Sequence, residues 1–250
     1  HLLIILSFLL LSSPLFGQSN TKQWTKKLGT KENDYGDGVT TDSSGNIYVT
    51  GITRGLDGNT GMSGLYDIIL MKFDSSGTKQ WTKQLVTSNR QFDQGSSSFF
   101  DSSGNIYVTG YTGLLLFPSD KGDIFLIKFN SSGTKQWTKQ LGTTESDLGI
   151  GVTTDPSGNI YVTGFTKGDL HGNTNSGGQD IFLIKFNSSG TTQWTKQLGT
   201  SSRDAGRSVT TDPSGNIYVT GYTKGGLDGN TNSGGKDIFL VKYNSDGVKQ

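Results

Sequence analysis

Apolar and polar positions along this chain group into short runs, broken by tight clusters of Gly, Asn, Ser and Asp. The third stretch of the pattern shows it well. Residues 151–154 (GVTT) are small or β-branched, as suits a crowded place, and residues 159–163 (NIYVT) carry larger apolar side chains. Residues 180–186 (DIFLIKF) are apolar on both parities, with Ile181 and Leu183 on one face and Phe182, Ile184 and Phe186 on the other. A strand of that kind is covered on both sides. Residues 193–198 (QWTKQL) mix Trp194 and Leu198 with Thr195, Lys196 and Gln197, as a partly exposed edge does. Between the first two of these segments, called strands A to D, sits Asp155-Pro156-Ser157-Gly158; between the last two sits Asn187-Ser188-Ser189-Gly190. Pro at the second turn position and Gly at the fourth suit a tight reversal. Short turns join antiparallel neighbours, so A–B–C–D is predicted to be a meander.

The pattern recurs four times. The heptapeptide GNIYVTG occupies residues 45–51, 104–110, 158–164 and 215–221, and tryptophans fall at 24, 81, 137 and 194, at intervals of 57, 56 and 57. The copies run over approximately 21–77, 78–133, 134–190 and 191–247. Four-stranded sheets covered on both faces and repeated with small residues innermost predict an all-β fold, a β-propeller built from four blades of ~57 residues. A parallel β-helix is the main alternative, but two tight reversals per unit fit its single coil badly. GNIYVTG is strand B, which must fit the same wedge between neighbouring blades each time. The final copy stops at Val248-Lys249-Gln250, one residue before the next expected Trp, so the sequence reads as part of a larger ring.

Composition adds to the β reading: Gly is abundant at 37, Pro numbers 4, and Glu occurs only at Glu32 and Glu145. Lys and Arg total 22 against 21 Asp and Glu, a balance that suggests neither nucleic acid nor an anionic membrane as a partner. Residues 1–11 are an uncharged apolar run of signal-sequence length, too short to span a bilayer. Residues 12–17 (SSPLFG) read as the cleavage region, so residues 1–17 are expected to be a signal peptide whose start is cut short, and 18–250 the mature repeats, exported and not inserted in a membrane. Cysteine is absent, so stability rests on packing rather than disulfides.

The combination GVTTDPSGNIYVTG, GNTNSGGKDIFLVKYNSDG and KQW resembles the SBBP-type β-propeller repeat of bacterial exported proteins, over about residues 20–250. The resemblance implies a propeller, with seven blades the usual expectation, and no particular activity. Repeat 2 departs most, with Ser98-Phe99-Phe100 where repeats 1 and 3 have Val-Thr-Thr.

Candidate chemistry is sparse. His171 is the only histidine beyond the leader and stands alone in a polar loop, which argues against a Ser-His-Asp arrangement or a multi-histidine zinc site. Three aspartate sets recur: Asp34, Asp93, Asp147 and Asp204 before strand A; Asp42, Asp101, Asp155 and Asp212 after it; Asp67, Asp123, Asp180 and Asp237 opening strand C. Catalytic acid pairs need two different environments, whereas these recur identically and suit turns. The loop 228–234 places oxygen side chains at the first, third and fifth positions of a calcium-type loop, but Phe239 stands where a bidentate Glu belongs. No catalytic residue, metal or cofactor is expected.

Spacing singles out one end of the blades. From the Asp before strand A to the last Gly of GNIYVTG is 17 residues in every copy, and from the Asp opening strand C to the Trp is 14 in the first three. Trp to Asp varies as 10, 12, 10 and 10, and Gly to Asp as 16, 13, 16 and 16. Length changes are thus confined to the D–A and B–C connections, which share one end of an up-and-down blade, and loops that vary on a constant scaffold are where binding usually lives. Repeat 2 is the outlier in both, bringing Asn89, Arg90 and Phe92 beside Leu114, Leu115, Leu116 and Phe117, the candidate binding residues. The expected function is a non-enzymatic recognition scaffold for a protein or glycan; the alternative is the propeller portion of a larger surface protein or enzyme. A signal peptide ending at Gly17 has a direct test. N-terminal sequencing of protein secreted from a precursor given a start methionine should find Gln18 or a near neighbour. An intact apolar N-terminus on cytoplasmic protein would contradict it.

Overall fold

A computed structural model describes residues 24–54, 66–85, 94–113 and 121–250. Their strands form four antiparallel meanders. The first joins β1 (Tyr35–Thr41), β2 (Ile47–Thr53), β3 (Asp67–Phe73) and β4 (Lys79–Leu85) in that order. The second joins β5 (Gln94–Phe100), β6 (Ile106–Thr112), β7 (Asp123–Phe129) and β8 (Lys135–Leu141). The third joins β9 (Asp147–Thr154), β10 (Ile160–Thr166), β11 (Asp180–Phe186) and β12 (Thr192–Leu198). The fourth has three strands, β13 (Asp204–Thr211), β14 (Ile217–Thr223) and β15 (Asp237–Tyr243). Strands A to D of the sequence are therefore one blade, read from the inside outwards, and the outer strand comes from the start of the following copy. Residues 24–28, the described part of the first copy's KQW segment, form no strand, and no strand C pairs with them.

The blades line up through their first strands, with β1 beside β5, β5 beside β9 and β9 beside β13. Small residues at this inner edge let the backbones approach. Between blades, one face of each strand B and strand C meets the opposite face of the next. Tyr48, Ile68 and Leu70 of the first blade pack on Ile106, Val108, Phe125, Ile127 and Phe129 of the second. Tyr107, Ile124 and Leu126 pack on Ile160, Val162, Phe182, Ile184 and Phe186 of the third. Tyr161, Ile181 and Leu183 pack on Ile217, Val219, Phe239, Val241 and Tyr243 of the fourth. This is the physical meaning of a strand apolar on both parities. The aromatic departure in repeat 2 belongs to the same seam, since Phe100 stacks on Tyr48 with ring centroids 5.3 Å apart.

The glycine closing each GNIYVTG has a steric cause. A Cβ on Gly164 would overlap the Leu148 carbonyl oxygen and stand 3.0 Å from the Phe182 ring, and Gly51, Gly110 and Gly221 meet the carbonyls of Tyr35, Gln94 and Ala205 in the same way. Each site faces a bulge, where strand A carries one extra residue between its pairs with strand B. Gly164→Val is expected to destabilise the fold by about 3 kcal/mol, the upper end for overpacking. Urea denaturation would measure it, and a loss below about 1 kcal/mol would contradict the packing argument.

Candidate recognition face

The D–A and B–C connections lie together at one end of the blades, tied by backbone bonds. The Asp147 amide donates to the Gly122 carbonyl at 2.7 Å, and Asp204 to Gln179 at 2.7 Å. Lys167 donates to Ser146 at 3.0 Å and Lys224 to Arg203 at 3.1 Å. Each such corner joins the B–C loop of one blade to a D–A loop, so the face is continuous across blade boundaries. Lys121 and Glu145 add an exposed ion pair at 2.9 Å, of small energetic weight.

An aspartate holds each described corner, buried at Asp147 and Asp204 and half-buried at Asp34. Asp147 accepts from the Thr143 amide at 2.5 Å, from the Thr143 hydroxyl at 2.9 Å and from the Thr166 hydroxyl at the end of strand B. Asp34 and Asp204 hold Thr30 with Thr53, and Thr200 with Thr223, in the same manner. Burial pushes the Asp147 carboxyl up, against the hydrogen bonds from Thr166 and Thr143. At Asp34 burial acts in the same direction, but the bonds from Thr30 and Thr53 outweigh it and hold the carboxyl below its ordinary value. The third set anchors the outer strand: Gln84, Gln140 and Gln197 side chains donate to Asp67, Asp123 and Asp180 at 2.6, 2.8 and 3.0 Å.

The constant end is stitched by the second set. Asp155 accepts from the Asn159 amide at 2.9 Å and side chain at 2.8 Å, and from the Tyr161 hydroxyl at 2.9 Å. Asp42, Asp101 and Asp212 repeat the arrangement with Asn46 and Tyr48, Asn105 and Tyr107, and Asn216 and Tyr218. Among the described residues, the first two aspartate sets hold backbone amides and the third holds the outer-strand glutamines. His171 lies exposed at a positive φ of 51°, with Nδ1 2.8 Å from the Thr195 hydroxyl. Asp228 takes the same conformation in the fourth blade, at φ 54°, and pairs with Lys249. Among the described residues no three His, Cys, Asp or Glu side chains gather in a metal-binding group.

Asn89, Arg90, Phe92, Leu114, Leu115, Leu116 and Phe117 lie outside the described residues. A second group was not singled out from sequence. Asp37, Ser96, Ile150 and Arg207 are the bulged residues of the four innermost strands, each without a partner in strand B. Asp37 is hydrogen-bonded to Gln94, which also accepts from the Tyr111 hydroxyl, and burial pushes both the Asp37 carboxyl and the Tyr111 phenol up. Arg207 and Lys236 flank the Tyr222 ring at 5.4 and 4.1 Å from its centroid. The signal available in sequence was one freely changing position beside the glycines of an otherwise constrained strand.

The beta-propeller repeat profile called SBBP matches residues 23–56, 80–113, 136–171 and 193–228. An uncharacterized WD repeat-containing protein of Acanthamoeba polyphaga mimivirus is 27% identical over 243 residues, and the regulatory protein FlaEY of Caulobacter vibrioides 26% identical over 189. The matched part covers 89% and 66% of this chain but only 15% and 20% of those two proteins. Among solved structures, a thermostable family-43 glycoside hydrolase aligns over 89% of this chain and 75% of its own, at 16% identity and a TM-score of 0.47. A Synechocystis apocarotenoid oxygenase mutant aligns over 82% and 45%, at 11% identity and a TM-score of 0.43. Likenesses at that level carry no argument about chemistry. Among the described residues no helix is long and apolar enough to cross a membrane.

The tyrosines of the constant end set a pH response. Burial, then the charge and hydrogen bond of the neighbouring aspartate, push the phenols of Tyr48, Tyr107 and Tyr161 well above their ordinary value. The unfolded chain loses these protons at about pH 10, so the stabilisation is whole below that pH and is lost as pH rises towards the folded values. The melting temperature followed by circular dichroism should fall above about pH 10. Tyr107→Phe should cost about 1 kcal/mol at neutral pH and flatten that alkaline fall; an unchanged slope would contradict the assignment.

Proposed function

The chain belongs to the SBBP beta-propeller repeat family, and on that premise we propose that it is an exported, non-enzymatic recognition scaffold. Its D–A and B–C loop face receives a protein or glycan ligand. The observation that supports this reading is the division of labour between the two ends. One end repeats the same aspartate, asparagine and tyrosine contacts in all four blades. The other end carries every length change in the sequence while its corners stay pinned by buried aspartates. The outlying loops of repeat 2, with Asn89, Arg90, Phe92 and residues 114–117, are the contact patch in this reading. Recruitment of the aspartates as hydrogen-bond acceptors supports the absence of a catalytic pair.

A second reading is favoured by the comparisons: the chain matches only 15% and 20% of two much longer proteins. In it, the repeats are the propeller portion of a larger surface protein or enzyme, and the same face positions a neighbouring domain.

The doubly substituted Leu115→Ser, Phe117→Ser chain tests the patch. Binding to a glycan array and to cell-envelope proteins of the source cell should fall by about tenfold or more, as for a hot-spot contact, with the melting temperature unchanged. Unaltered binding, or a large fall in melting temperature, would remove these residues from the recognition face.

A further inference from the structure

The near balance of charge over the whole chain does not hold at every place in it. On the outer rim, at the constant end of the blades, lysines gather in pairs at each seam. Lys128 of β7 stands across from Trp137 of β8. Its ammonium lies 5.6 Å from the Tyr107 ring centroid and donates at 3.4 Å to the Ser188 carbonyl, in the C–D turn of the next blade. Lys139, two residues beyond Trp137, lays its stem against Gly190 of that same turn, with Cε 2.8 Å from where a Cβ would stand. The preceding seam repeats this with Lys83 against Gly133 and Lys72 over the Tyr48 ring. The following seam has Lys196 against Gly247 and Lys185 donating to the Ser245 carbonyl at 3.0 Å. Each seam thus sets two lysines about one four-residue turn, beside a half-buried Trp that covers the glycine of the turn.

The carboxylates of this end are engaged elsewhere. Asp42, Asp101 and Asp155 each accept from the Asn and Tyr side chains of their own blade. The turns 130–133 and 187–190 read Asn-Ser-Ser-Gly where the first copy has Asp74, so neither carries a carboxylate; the turn 244–247 carries Asp246. The ion pairs Lys121–Glu145 and Lys249–Asp228 lie apart from the seams, and among the described residues none of the six lysines has a carboxylate partner. A carbonyl oxygen and a ring face offer an ammonium only partial negative charge, so two like charges about one turn repel with no full charge to offset them. All six side chains are half-buried, which leaves part of each open to solvent.

We propose that this outer rim binds an acidic polysaccharide, each seam holding the carboxylate of one uronic-acid unit between its two lysines. A cation pair that recurs once per blade calls for a ligand that itself repeats. The turn serines Ser131, Ser132, Ser188 and Ser189 are exposed beside the pairs and offer hydroxyls to a hydroxylated ligand. The shape of the rim decides between polyanions. Because the blades line up through their first strands, the outer strands stand on a convex edge. A flexible sugar chain can follow that edge from seam to seam. A flat anionic bilayer meets a convex edge at few seams at once, and duplex DNA, stiff over about 150 bp, does not wrap round it. The surface lies at the opposite end of the blades from the D–A and B–C loops and does not depend on the loop-face reading.

Titration calorimetry with polygalacturonate tests it. The unaltered chain should bind at low salt and release the polymer near about 1 M salt, where charges are screened beyond about 3 Å. Lys128→Gln, Lys139→Gln, Lys185→Gln and Lys196→Gln together should lower the affinity by about tenfold or more, given what each lysine contributes beside an anionic surface. The same four positions changed to Arg should keep the binding. Lys167→Gln with Lys224→Gln, two lysines of the loop face, should leave it unaltered. Absence of binding at low salt, binding that survives high salt, equal binding of neutral dextran, or undiminished binding by the four-glutamine chain would overturn the proposal. Tighter binding of phosphatidylglycerol vesicles or duplex DNA than of polygalacturonate would overturn it as well. Circular dichroism checks the fold of the four-glutamine chain; if that fold is lost, the salt dependence and the loop-face pair decide alone.

Discussion

Burial of strands B and C on both faces is the constraint on which everything else rests. A sheet of four short strands with apolar side chains on both sides cannot be stable alone in water. Each Ile or Leu moved from solvent into such a junction contributes roughly 1.5–3 kcal/mol, and the three internal junctions each bury several. The blade is therefore a structural unit but not an energetic one. Repetition follows: whatever sequence fills one wedge must fill the next, so GNIYVTG is written again in each copy. The closing glycine, the inner bulge and the small residues of strand A are the local adjustments that let the wedges meet.

The polar framework answers the same requirement from the other side. Tight reversals at the ends of a doubly covered sheet leave amides without ladder partners. In the third blade Asp155 accepts from one at the A–B turn and Asp147 from one at the D–A corner, while Asp180 accepts from the Gln197 side chain of the outer strand. Burial and the charge of Asp123 raise the Asp147 carboxyl, while the less buried Asp34, with a further backbone bond from Arg54, is lowered.

Much of the fold was legible in the chain itself. Double-sided apolar patterning in 180–186, the DPSG and NSSG turns and the tryptophan interval lead to the meander and its repetition, because each is a local property. The position of the outer strand, supplied by the following copy, was also readable from where KQW falls. What sequence did not show is the bulged row Asp37, Ser96, Ile150 and Arg207. A bulge depends on how strand A meets strand B across the glycine, a pairwise geometry that a one-dimensional pattern does not carry. The loop patch at repeat 2 lies outside the described residues.

Copies this alike invite a folding error, in which strand B of one blade pairs with strand C of another. The Asp-centred reversals guard against it. Four-residue turns between A and B and between C and D keep each strand's proper neighbour nearest along the chain, so correct hairpins have only short loops to close. Pairing strand C of one blade with strand B of the next must close a longer loop first, residues 187–216 in place of the proper B–C connection 167–179. The turns thus keep the proper neighbour nearest for each hairpin, while the blade itself holds only once its apolar faces are covered by the next.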